Sequence, residues 1–290
     1  MKFPWQKKSV PDNPVAVNSN APGNSYTYSC KVYGLSETGP TRGSNEDSVL
    51  FFYPGYNQQT LFALVADGMG GHNAGEVASN MACGSAKEFI LTHYLQTDVK
   101  KMLEEMIQQM HQHIRTAAEE NPAYNGMGTT ATSVFIRDGY IYYVHVGDSR
   151  LYHFANNVLS QLSTDQTLVN DMVKDGKLTK EEAEHHDMKH VLMQALGTVE
   201  NIKPEVSPAG SVIHKGEYYF LCSDGIHDAM SEEELQSLLS MKEPAFIMES
   251  IKALCYRRQA RDNFSALLVE ITEEQPAVNS VITREQNVMV

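Results

Sequence analysis

Four aspartates in this 290-residue chain stand at the ends of apolar segments. Asp67 closes "LFALVA", Asp148 follows "YYVHVG" and Asp224 follows "YYFLCS", while Asp262, in Arg261-Asp262-Asn263, stands just before "SALLVEI". If these segments are antiparallel strands, the end of one and the start of another share an edge, and four carboxylates can meet at one rim. Like charges so close repel and raise one another's pKa; a bound dication removes the conflict. Hard carboxylate and carbonyl oxygens select Mg²⁺ or Mn²⁺, where thiolates or several imidazoles would select zinc. Gly68, next to Asp67, has no side chain, so its carbonyl can turn toward such an ion. Any one of these Asp residues is more simply a turn former or a helix cap. It is the repeated strand–Asp junction that favours a metal.

The elements that must position these acids are legible as patterns. Segments 48–53 and 60–66 flank a Pro-Gly turn, and 131–136 and 140–146 flank Arg137-Asp138-Gly139, which predicts two hairpins. Segments 150–154, 218–223 and 265–271 complete the predicted strands. Two long helices are expected between the second and third strands. From Glu76 a stripe of Val77, Met81, Ala82, Phe89 and Ile90 follows helical spacing; from Asp98 the stripe is Val99, Met102, Leu103, Met106, Ile107, Met110 and Ile114. Asn73 with Glu76, Thr179 with Glu182, and Ser231 with Glu234 have capping-box spacing. Strands paired through short turns, with helices inserted in pairs, predict an α+β fold of antiparallel sheets covered by helices.

Composition narrows the partners. With 42% hydrophobic and 20% charged residues the chain reads as globular, and a formal net charge of −13, with no basic run longer than a pair such as Lys7-Lys8, speaks against nucleic acid. Cys30, Cys83, Cys222 and Cys255 are scattered and form no CxxC pair, so buried free thiols and a reducing, cytoplasmic setting are expected. No apolar run has signal-peptide or membrane-spanning character, so no membrane partner is expected. Residues 1–27 read as a flexible leader and 273–290 as a flexible tail, around one patterned region over 28–272.

Six ordered motifs carry a resemblance over roughly 28–272. They are Arg42-Gly43-Ser44-Asn45-Glu46-Asp47, Asp67-Gly68-Met69-Gly70-Gly71-His72, Gly128-Thr129-Thr130, Val146-Gly147-Asp148-Ser149-Arg150, Ser223-Asp224-Gly225-Ile226-His227-Asp228 and Asp262-Asn263. In this order the chain resembles the metal-dependent protein phosphatases of type 2C, the bacterial subgroup above all. The resemblance implies a sandwich of two antiparallel sheets with helix pairs on both outer faces, and a flap, here Ser163 to Gly197. It implies two inner Mn²⁺ or Mg²⁺ ions: Asp67 bridging them, Asp224 and Asp262 completing the first ion's ligands, Gly68 (through its carbonyl) and Glu46 (through water) serving the second. Asp148 with Asp228 matches the place of a third, weaker ion, and Arg42 that of the group gripping the substrate phosphate. The implied reaction is direct attack of a metal-bridging hydroxide on phosphoserine or phosphothreonine in a protein, opposing a Ser/Thr kinase, in a monomer. His72 would protonate the leaving alkoxide or hydrogen-bond a ligand.

Two rivals are weighed against it. His186-Asp187-Met188-Lys189-His190 puts two histidines at i and i+4, but a zincin needs Glu after the first, and a solvated helix face in the flap is the plainer reading. A catalytically silent phosphatase fold should have lost a ligand or the phosphate-gripping Arg; Arg42, Asp67, Asp224 and Asp262 are all present.

Overall fold

A computed structural model describes residues 28–55, 57–70 and 74–273. The predicted leader, nearly all of the predicted tail, and His72 and Asn73 lie outside the described residues. Among the described residues there are twelve strands: β1 (Tyr28–Glu37), β2 (Asp47–Phe52), β3 (Leu61–Met69), β4 (Gly128–Thr129), β5 (Ala131–Arg137), β6 (Tyr140–Val146), β7 (Arg150–Ala155), β8 (Val158–Gln161), β9 (Glu205–Val206), β10 (Ser211–Val212), β11 (Tyr218–Cys222) and β12 (Phe264–Glu273). The α-helices are α1 (Ala74–His93), α2 (Val99–Glu120), α3 (Leu168–Lys174), α4 (Lys180–Glu184), α5 (Asp224–His227), α6 (Glu232–Leu239) and α7 (Pro244–Arg257).

The strands form two sheets, ordered β1-β12-β11-β7-β8 and β10-β6-β5-β3-β2, with β4 added to β3 and β9 to β6. Every ladder is antiparallel. The apolar runs of the sequence follow from this layering. Alternate residues of a strand point to opposite faces, and here both faces are covered. Leu61, Ala63 and Val65 of β3 meet Leu221, Leu267 and Val269 between the sheets, while Phe62, Leu64 and Ala66 pack under α1 and α2. In the other sheet Tyr219 and Leu221 face inward, and Phe220 and Cys222 pack against Leu235, Ile247 and Ile251 of α6 and α7. The fold is therefore the expected α+β sandwich with helices on both outer faces.

Local expectations fare unevenly. The α2 stripe is buried along its whole length, and Asp98 caps the helix by accepting from the Lys101 amide. Both capping boxes inside the described residues, Thr179–Glu182 and Ser231–Glu234, are formed. Asp138 and Gly139 both take positive φ, as a tight two-residue hairpin requires. The α1 stripe needs correction. Val77 and Met81 are only partly buried, and the line that faces α2 and the sheet is Ala78, Ala82, Ala86 and Ile90. Small residues let α1 lie close to β3, a contact that hydrophobicity ranking alone does not favour. β1, β4, β8, β9, β10, α5 and α7 are additions to the predicted elements.

Candidate active site

The acids converge because the strands that carry them stack. Asp67 lies near the end of β3, Asp224 opens α5 directly after β11, Asp262 precedes β12, and Asp148 sits in the turn between β6 and β7. These elements belong to both sheets, so one end of the sandwich collects carboxylates from each. The electrostatics record it. Burial, and then the charges of Asp47, Asp224, Asp148 and Asp262, push the Asp67 carboxyl far above the ordinary carboxylate range. Asp224 is raised as strongly, by burial first and then by Asp148, Asp262, Asp47 and Asp228. Asp148 rises to about 7, through burial and then Asp165, with Arg150 opposing. Asp224 Oδ1 is buried without any hydrogen-bond partner. An orphaned carboxylate oxygen inside a ring of carboxylates has the donor chemistry of a hard-cation site.

The β3 backbone is locked beneath this cluster. Thr130 accepts from the Asp67 amide through Oγ1 at 2.9 Å and donates its own amide to the Asp67 carbonyl at 2.9 Å. Gly68 is glycine for a reason of space as well as of carbonyl freedom. A Cβ there would lie 2.2 Å from the Gly75 carbonyl oxygen and 2.5 Å from that of Glu46. The Glu46 carbonyl also accepts from the Gly68 amide at 3.1 Å, and the Glu46 carboxylate lies over Gly75 in the first turn of α1. Burial raises the Glu46 pKa, Arg42 opposes, and Asp262 and Glu76 add to it.

Arg42 donates from Nη2 to Asp262 Oδ2 at 2.5 Å, and its side chain is half exposed at the rim. Asp228 is drawn outward instead: Lys189 Nζ lies 3.0 Å from its Oδ1 and His190 Nε2 lies 3.4 Å from its Oδ2. Those two side chains belong to the segment 163–197, which holds α3 and α4 and folds over one side of the acids. His186 and His190 do not share a helix face: the helix ends at Glu184 and residues 187–190 form turns. His190 instead approaches Asp224, and Asp148, His190 and Asp224 each offer a ligand atom within 4.8 Å of the others.

Several residues of this site carried no sequence signal of their own. Asp47, opposite Asp67 in the β2–β3 ladder, is buried. Asp165 is gripped by the Arg150 guanidinium through Nε and Nη2, at 3.0 and 2.7 Å to Oδ2. Burial would raise Asp165; Arg150 more than offsets that and holds it low. His227, pushed down to about 4 by burial and Arg150, stays neutral and donates to the Asp148 carbonyl at 3.1 Å. Only Asp47 and His227 stood inside quoted motifs, and neither had a role there.

Comparison with known proteins gives a consistent set of likenesses. The family model described as protein phosphatase 2C matches residues 42–255. The protein phosphatase PhpP of Streptococcus pneumoniae is 31% identical over 243 residues, which span 83% of this chain and 97% of that protein. The crystal structure of the serine/threonine phosphatase PstP/Ppp of Mycobacterium tuberculosis superposes with a TM-score of 0.75 at 31% identity, covering 84% of this chain and 99% of the other. A crystal structure of the PstP catalytic domain in complex with two manganese ions superposes with a TM-score of 0.74 at 30% identity, covering 85% and 100%.

Proposed function

This chain belongs to the protein phosphatase 2C family of metal-dependent serine/threonine phosphatases, in its bacterial subgroup, and we propose that it cleaves phosphoserine and phosphothreonine monoesters in proteins by in-line attack of water on phosphorus. One observation carries the reading: Asp67 and Asp224 are half-buried among the carboxylates of Asp47, Asp148 and Asp262, and the buried Asp224 Oδ1 is unpartnered. Mn²⁺ or Mg²⁺, when bound, would acidify a water and neutralise charge on the phosphoryl oxygens.

The chain's own residues divide the remaining tasks. Asp67 would stand between two ions, with Asp224 and Asp262 on one and the Gly68 carbonyl and Glu46 on the other; Asp148 and Asp228 would hold a weaker third. Arg42, steered by Asp262 and half exposed, presents the rest of its guanidinium to phosphate oxygens. His72 is the proposed donor to the leaving alkoxide or a hydrogen-bond partner of a ligand. A cysteine phosphoenzyme has no support. Cys222 is completely buried, and burial pushes its thiol far above its ordinary pKa, away from the reactive thiolate.

Each phosphoserine or phosphothreonine was placed by a kinase, so a Ser/Thr kinase is the partner reaction, and cytoplasmic phosphoproteins are the proposed substrates. Among the described residues no helix is long and apolar enough to cross a membrane. Hydrolysis of a phosphothreonine peptide should require Mn²⁺, stop with chelator, and vanish in Asp67→Asn. A metal-loaded protein that cleaves neither this peptide nor an aryl phosphate would make the fold a binding module.

A further inference from the structure

Helix α2 carries a row of polar side chains that has no part in the metal cluster. Gln108, His111 and Arg115 lie at helical spacing on one face, and each fastens backbone at the end of the flap or just beyond it. Gln108 Nε2 donates to the Ile202 carbonyl at 3.4 Å and Arg115 Nη1 to the Glu200 carbonyl at 3.0 Å. Between them the buried His111 accepts from the Gly197 amide through Nδ1 at 3.0 Å. A backbone amide only donates, so Nδ1 must carry no proton, and the imidazole is the neutral Nε2–H tautomer. Burial, and then the Arg115 charge, lower its pKa and keep it in that state. The carbonyls of Glu200 and Val199 pull the other way, but Nε2 makes no hydrogen bond with either.

Gly197 is the outgoing root of the flap. Its φ of +87° suits glycine, and a Cβ there would lie 2.4 Å from Ile114 Cγ2 of α2. The residue before it, Leu196, exchanges two backbone hydrogen bonds with Thr129, at 2.8 and 3.1 Å, and Thr129 Oγ1 donates to the Asp67 carbonyl at 2.9 Å. One continuous set of contacts thus runs from α2 through the flap root to the strand that carries Asp67.

We infer that His111 is a positioning residue: its Nδ1 pins the flap root against α2 and so sets how the flap meets a phosphopeptide. The inference rests on the phosphatase reading for its kinetic consequence, but its structural consequence stands apart from catalysis. His111→Leu fills the site and removes the acceptor; His111→Gln can return one through Oε1. In the full-length Mn²⁺-loaded protein, His111→Leu should speed amide exchange at 193–199 by about tenfold while exchange in β11 and β12 keeps its wild-type rate. It should lower kcat/KM for a phosphothreonine peptide about fivefold and leave aryl phosphate turnover within about twofold, and His111→Gln should restore both readouts most of the way. Wild-type exchange at 193–199 in His111→Leu would overturn the pin. So would loosening spread equally into β11 and β12, or a His111→Gln variant that behaves as His111→Leu. An inactive wild type with the expected exchange pattern would instead strike the phosphatase reading and leave the pin standing.

Discussion

Asp47 and Asp67 stand directly opposite each other across the β2–β3 ladder, and Ser223, just after β11 of the other sheet, donates to Asp47 Oδ2 at 2.7 Å. Burial lifts the Asp47 carboxyl to about 6, against the pull of Ser223 and Ser265. Its charge is the largest influence after burial on Asp67. Asp47 therefore stands against the Asp67 carboxylate, the proposed metal bridge, and ties it to both sheets.

Asp47→Asn should keep much of this hydrogen bonding and lose the charge. Removing a group that supports a ligand typically weakens metal binding by roughly 10- to 100-fold. Calorimetric titration with Mn²⁺ should show a loss of about tenfold in affinity, while the melting temperature in chelator rises. Unchanged affinity would make Asp47 a bystander.

The pH dependence of the metal-free protein follows from Asp148, whose folded-state pKa is raised from 3.8 to about 7. A raised carboxyl favours folding while it is protonated, so its contribution is full below about 4 and is lost as pH climbs through about 7. The amide introduced by Asp148→Asn cannot ionise. In chelator, the melting temperature of the variant should gain on the wild type from pH 5 to pH 8, and the gap should shrink when Mn²⁺ is added. A gap independent of pH would contradict the burial of this charge.

Arg42→Ala should separate phosphate recognition from metal binding. Losing a charge-assisted guanidinium contact should raise the KM for a phosphopeptide about tenfold or more. Because Arg42 is paired with Asp262 at 2.5 Å, its removal frees that carboxylate, and Mn²⁺ should bind as well as before or better. Equal loss of phosphate and metal affinity would remove Arg42 from its assigned role.

Two glycines should respond with opposite signs. A Cβ at Gly225 would lie 2.1 Å from the Asn263 carbonyl oxygen, so Gly225→Ala forces α5 away from the start of β12. Overpacking of this kind costs about 1–3 kcal/mol. Gly84, exposed on α1, has nothing within 4 Å of such a Cβ, and Gly84→Ala should stabilise by about 0.5–1 kcal/mol. Urea midpoints in chelator measure both; a stable Gly225→Ala would mean the junction holding Asp224 and Asp262 is not tight.

Much of the fold was legible because its signals are local. Strands covered on both faces read as unbroken apolar runs, as in Leu61–Ala66 and Tyr218–Cys222, and α2 shows its stripe because one face alone is buried. Caps and the Asp138-Gly139 turn depend on neighbours within four residues. β1 gives no such signal because its burial does not alternate, and the buried line of α1 is hidden because alanine packs by being small.

The sequence by itself determined that carboxylates end several strands, and the order of its motifs determined the family. Only the tertiary structure decided that Asp47 lies against Asp67, that His190 turns toward Asp224 from a loop, and that His111 reaches the flap root. The reason is physical. Periodicity and capping report on neighbours along the chain, whereas Coulomb repulsion and hydrogen bonding depend on distance through space, and for residues 20 to 86 positions apart that distance is set by strand order and the stacking of two sheets.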